Sequence, residues 1–147
     1  MENADNNCKV DSKKAVGVLK RALINDLIKW KENPKRKPLI LKGVRQCGKT
    51  YLLKEFGKQY YESMAYFNFE ENEALSKIFE NDYSTGRIIF ELGLSIGKTI
   101  CPEKTLIILD EIQECGRAIT AMKYFCENAP EYHIVCAGSL LGIAIRK

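Results

Sequence analysis

Three observations predict an α/β chain of three layers, α/β/α, with helices on both faces of a mostly parallel sheet. Apolar runs of strand length alternate with stretches whose apolar residues recur every three or four positions, the pattern of strands joined by crossover helices. The run Thr105-Leu106-Ile107-Ile108-Leu109 is apolar without alternation and ends in Asp110-Glu111, as expected for a strand buried on both faces with its polar residues at the carboxyl end. A glycine-bounded segment from Gly43 to Thr50 joins the apolar Leu39-Ile40-Leu41 to the helix-forming Tyr51-Leu52-Leu53-Lys54-Glu55-Phe56, the strand, loop and helix order of a parallel unit.

Each element has its own signal. Between residues 11 and 30, Val16, Leu19, Leu23, Leu27 and Trp30 fall on one helical face; Asp11 or Ser12 can cap the start and Asn33-Pro34 stops it. Residues 1–11 read as a disordered leader, and 12–147 as one domain that begins with this helix. The first strand covers residues 38–41, and the helix after the loop is expected to end near Gly57. Residues 64–69 are aromatic and alternating, a second strand, and the acidic Glu70-Glu71-Asn72-Glu73 opens a helix through Leu75, Ile78 and Phe79. Residues 81–86 form a turn-rich break. Residues 88–96 then keep helical spacing despite Gly93, with Gly97 as the stop. Ala118, Met122 and Phe125 line a further helix, and residues 132–137 are the fourth strand, ending in Gly138-Ser139.

A chain of 147 residues, 46% hydrophobic and 29% charged, suits one domain with a real core. The net charge of +4 owes much to Lys29, Lys31, Lys35, Arg36 and Lys37, a cluster that suits nucleic acid or an acidic partner and equally suits a solvated helix end. Nothing else supports nucleic acid. The six cysteines include no C-x-x-C pair and are accompanied by one histidine, so neither a zinc site nor a disulfide framework is indicated. Reduced thiols, a polar N-terminus unlike a secretory signal and no apolar run long enough to span a bilayer point to a cytoplasmic chain without membrane contact.

The chemistry concentrates in two places. Gly43-Val44-Arg45-Gln46-Cys47-Gly48-Lys49-Thr50 matches G-x-x-x-x-G-K-[ST] in full, the pattern of a phosphate-binding loop. Gly43 and Gly48 let successive N–H groups turn toward an anion, and the dipole of the helix beginning near Lys49 adds positive potential there. Lys49 would reach the β and γ phosphates, and the Thr50 hydroxyl would ligate a Mg²⁺ that the phosphates also hold. Gly43, Arg45, Gln46, Cys47, Gly48, Lys49, Thr50 and Tyr51 are the candidate nucleotide-binding residues. Arg45 and Gln46 either touch phosphate or pack on strand ends, and Cys47 reads as a small loop residue rather than a redox switch.

The second place is Asp110-Glu111. A carboxylate at this strand end can hold the Mg²⁺ beside Thr50, and its neighbour can orient and deprotonate an attacking water, which makes Asp110 a metal ligand and Glu111 the base. The bland alternative is a buried strand that ends in two solvent-facing acids. Ser139, ending the fourth strand, either hydrogen-bonds the attacking water or the γ-phosphate, or caps the next segment as a Gly-Ser turn.

With these residues in view, the chain resembles the AAA-type P-loop ATPases, and more narrowly a prokaryotic group with a signature similar to G-x-R-Q-x-G-K-T, F-N-F-E, L-D-E-I-Q and A-G-S-L-L-G. These read here as residues 43–50, 67–70, 109–113 and 137–142. The resemblance implies a Walker A loop, a Walker B pair at Asp110 and Glu111, a sensor at Ser139, ATP and Mg²⁺ as ligands, and ATP hydrolysis as the activity. It also implies a fifth strand, a lid, an arginine finger and a C-terminal domain beyond Lys147, so this chain is expected to be the N-terminal ATPase part and to hydrolyse slowly. None of Arg87, Arg117 and Arg146 matches the finger position. Two other functions stay open: a nucleotide-gated module that switches a surface toward a protein partner or a second copy with negligible turnover, and a small-molecule kinase, which the Glu after Asp110 disfavours because it suits activation of water.

Overall fold

A computed structural model describes residue 17 and residues 20–42 and 48–138. The chain divides into two compact units, residues 1–34 and 35–147. In the first, residues 20–32 form a helix, α1, closed by the Asn33 amide on the Trp30 carbonyl at 3.3 Å. Leu27, on the predicted apolar face, is fully buried. The capping residues proposed for its start, Asp11 and Ser12, lie outside the described residues.

The second unit runs β1 (Leu39–Lys42), α2 (Lys49–Tyr60), β2 (Ser63–Asn68), α3 (Ala74–Ile78), α4 (Thr85–Ile96), β3 (Thr105–Asp110), a 3-10 turn (Ile112–Glu114), α5 (Gly116–Asn128) and β4 (His133–Gly138). The four strands form one sheet in the order β1-β4-β3-β2, and every pair is parallel. All carboxyl ends therefore lie along one edge: Lys42 stands opposite Gly138, and Asn68 opposite Asp110. In such a sheet ligands gather at that edge, where the connections leave the strands in different directions.

Strand alternation sorts the side chains between two layers. Ala65, Phe67, Ile107, Leu109, Ile134 and Cys136 join Phe79, Ile88, Leu92 and Phe125 in one continuous core against α3, α4 and α5. Burying each large side chain of this kind contributes about 1.5–3 kcal/mol. On the opposite face, α2 packs on β2 and β3 and buries Leu52, Leu53, Phe56 and Gly57. The expected three-layer α/β chain is what forms, and among the described residues the sheet is wholly parallel.

Three helices differ from the sequence reading. α2 continues past Gly57 to Tyr60, because Gly57 faces the sheet: a Cβ there would lie 3.0 Å from Met64 Sδ and 3.2 Å from Leu106 Cδ2. Close helix-sheet approach, not chain reversal, explains that glycine. α3 is shorter than the acidic run suggested, since Asn68 Oδ1 accepts from the amides of Glu70 and Glu71 at 2.9 and 3.2 Å and holds them in a turn. α4 begins at Thr85, inside the expected break, where Ser84 Oγ caps it by accepting from the Arg87 amide at 3.4 Å, and it ends at the left-handed Gly97 as expected. Among the described residues no helix is long and apolar enough to cross a membrane.

Candidate functional site

The site gathers where α2 begins and β3 ends. Gly48 precedes α2 at φ 69°, the left-handed region that glycine adopts without strain. It has no side chain to cap the helix, and no acidic residue stands in the first turn. The first turn of the helix thus carries no carboxylate of its own that would compete with an anion for the positive end. Lys49 opens the helix, and its ammonium donates to the carbonyl of Lys42, the last residue of β1. Tyr51 is largely exposed.

Thr50 is the next residue, and its hydroxyl donates to Asp110 Oδ2 at 2.8 Å, a contact spanning 60 residues. Asp110 and Glu111 are not solvent-facing strand-end acids. They are 5% and 7% exposed. Asp110 is held from three directions: Thr50 and the Tyr66 phenol, at 2.6 Å, both donate to Oδ2, and the Glu111 amide donates to Oδ1 at 2.9 Å. Burying a carboxylate is costly unless donors such as these satisfy its oxygens. Burial, and then its bond to Asp110, push the Tyr66 hydroxyl well above the usual phenol range, so it remains a donor. Lys54, one turn beyond Thr50, sets its ammonium 3.9 Å from the centre of the Tyr66 ring.

Glu111 takes an unusual backbone conformation for a residue with a side chain, φ 53° and ψ 43°, at the point where β3 gives way to the 3-10 turn. Strain at such a position is kept only where the surroundings enforce it. Its Oε2 accepts from Gln113 Nε2 at 2.9 Å.

Of the residues singled out from sequence, Thr50 and Asp110 meet, Glu111 follows Asp110 in the chain, and Lys49 lies beside Thr50 with its ammonium on the Lys42 carbonyl; Gly48 shapes the turn before them. Gly43, Arg45, Gln46, Cys47 and Ser139 lie outside the described residues. β4, whose last described residue is Gly138, stands between β1 and β3. Sequence reasoning passed over two side chains at the centre. Tyr66 could have been found from strand alternation, which turns residues 64, 66 and 68 to the face opposite the Phe67 core; Gln113 entered only as part of a signature.

Among the described residues no cluster of three or more His, Cys, Asp or Glu side chains could cage a metal. What the site does offer is a hydroxyl oxygen and a carboxylate oxygen at adjoining points. Because Thr50 spends its proton on Asp110, its oxygen lone pairs remain as hard donors. That set fits Mg²⁺, which is commonly held by one or two protein oxygens, with water and phosphate oxygens completing the shell.

The profile of the AAA domain family matches residues 35–147. The solved structure of PCH-2 from C. elegans is similar in fold, with a TM-score of 0.52 and 20% identity over 83% of this chain and 37% of that one. The chain thus spans well under half the length of PCH-2. No curated protein sequence matches it.

Proposed function

This chain belongs to the AAA domain family, and on that basis we propose that residues 43–50 bind the phosphates of ATP and that the domain hydrolyses ATP to ADP and phosphate. The observation that carries the proposal is the bond between Thr50 and Asp110, which joins the end of the loop to the end of β3. In this reading the backbone before α2 and the Lys49 ammonium hold the β and γ phosphates, with a phosphate oxygen replacing the Lys42 carbonyl as the lysine's partner. Thr50 and Asp110 would hold Mg²⁺, which when bound neutralises charge on the phosphates. Glu111 accepts a proton from the attacking water. Tyr66 fixes Asp110, and Ser139 is proposed to hydrogen-bond the attacking water or the γ-phosphate.

Arg87 and Arg117 are already engaged. Arg87 binds Asp82, Glu91 and the Ile78 carbonyl, while Arg117 donates to the Phe79 carbonyl and lies over Tyr83. Neither of these two arginines is thus free to stabilise the transferring phosphoryl group. Phosphate release from ATP with no added acceptor tests the proposal. We expect release, and its loss in Glu111→Gln with nucleotide binding retained. Transfer that needs an acceptor molecule would make the domain a kinase instead.

A further inference from the structure

We propose that Gln113 is a positioning residue that seats the attacking water beside Glu111. This rests on the reading of Glu111 as the base. An ionised carboxylate offers only acceptors, so the Gln113 amide presents Nε2 to Glu111 Oε2, at 2.9 Å. Its Oε1 must then face the other way. There it is buried and, among the described residues, meets no donor. An unsatisfied buried acceptor is costly and rarely retained without cause.

The surroundings keep the amide where it is. Gln113 is the middle residue of the 3-10 turn, closed by Glu114 and Cys115 amides on the Glu111 and Ile112 carbonyls at 3.1 and 2.9 Å, and anchored by the fully buried Ile112. Oε1 and Nε2 sit on one amide carbon, so the orphan acceptor and the Glu111 carboxylate lie within reach of a single water. Such a water donates one proton to Gln113 Oε1 and the other to Glu111. On attack its oxygen bonds to the γ-phosphorus, the bond from that phosphorus to the bridging oxygen breaks with its electron pair leaving on ADP, and Glu111 takes the proton. The other proton stays on the phosphate product. Gln113 neither gains nor loses a proton.

Single-turnover hydrolysis, with protein in excess over Mg²⁺ and ATP, tests this in Gln113→Ala. The rate at saturation should fall about 10- to 100-fold, the effect of misplacing a reacting group, while half-saturation and ADP affinity stay within about twofold. ADP with aluminium fluoride, which mimics the transferring phosphoryl group with its attacking oxygen, should bind the wild type more tightly than ADP alone and lose that advantage in the variant. If Gln113→Ala turns over within twofold of wild type while Glu111→Gln is silent, the Gln113 assignment is wrong and the base stands. Loss of ADP binding together with turnover would make Gln113 merely structural. Turnover that survives Glu111→Gln, or no phosphate release by the wild type, removes the base reading and Gln113 with it. Should Gln113→Ala fail to fold, Gln113→Met keeps the side-chain length without the amide and is judged by the same outcomes.

Discussion

At the scale of single residues the site depends on two adjacent acids with different surroundings. Asp110 faces Thr50 and Tyr66, on the side where a cation held by phosphate would lie; Glu111 turns through a left-handed backbone to Gln113. Two nearly isosteric changes should therefore separate. Asp110→Asn replaces one acceptor oxygen by a donor amide facing Thr50 and Tyr66, and the Mg²⁺ enhancement of nucleotide affinity should drop at least tenfold, about 1.4 kcal/mol. Glu111→Gln should leave that enhancement intact and lower turnover by about 10² to 10⁴. Titration calorimetry with and without Mg²⁺, beside a phosphate-release assay, measures both. Equal loss of binding in the two variants would contradict separate roles. That Thr50 and Asp110 lie side by side was legible in the sequence, because motif spacing carries it. Alternation sets the face that Tyr66 takes, but its meeting with Asp110 depends on β2 lying beside β3, which local pattern does not state.

At the scale of elements, strand identity came through clearly and helix ends did not. The unbroken apolar run of β3 pointed to a strand buried on both faces, and all six of its residues are buried. Glycine was the harder residue to read. Gly57 looked like a terminus and is a point of close packing, since sequence does not show which face a helix turns to the sheet. Gly93, inside α4, belongs to the same class. A Cβ there would stand 2.6 Å from the Lys98 carbonyl oxygen, a backbone atom that cannot swing aside. Gly to Ala in a helix interior ordinarily gains about 1 kcal/mol. Gly93→Ala should instead destabilise the fold by about 1–3 kcal/mol, the usual cost of forcing atoms into a packed site. Denaturant unfolding measures it, and a stabilised variant would show that the turn after α4 yields easily.

At the scale of the whole molecule, strand order brings the chemistry together. β4 lies between β1 and β3, and α2 lies across β2 and β3, so Thr50 at the start of α2 meets Asp110 on a strand with which β1 does not pair. The alternation of elements predicted the layers. The order of strands follows from crossover packing, which the alternation does not state. Engagement of Arg87 and Arg117 within their own domain leads to an expectation at this scale. An arginine finger contributes about 10³ to 10⁵ in turnover. If a second copy supplies it, phosphate release per chain should be far below one per second in dilute solution and rise steeply with protein concentration. A rate of about 1–100 per second, the range of efficient phosphoryl transfer, independent of concentration, would show that the chain completes its own site.

The central claim is that the positive end of α2, with Lys49, holds nucleotide phosphate. Calorimetric titration of ATP with Mg²⁺ into the wild type and Lys49→Ala tests it most directly. Removing a charge-assisted phosphate contact costs about 2–3 kcal/mol, so the variant should bind about 30- to 150-fold more weakly at equal folded stability. Equal affinity in the two proteins would contradict the account, because nucleotide would then bind somewhere other than the start of α2.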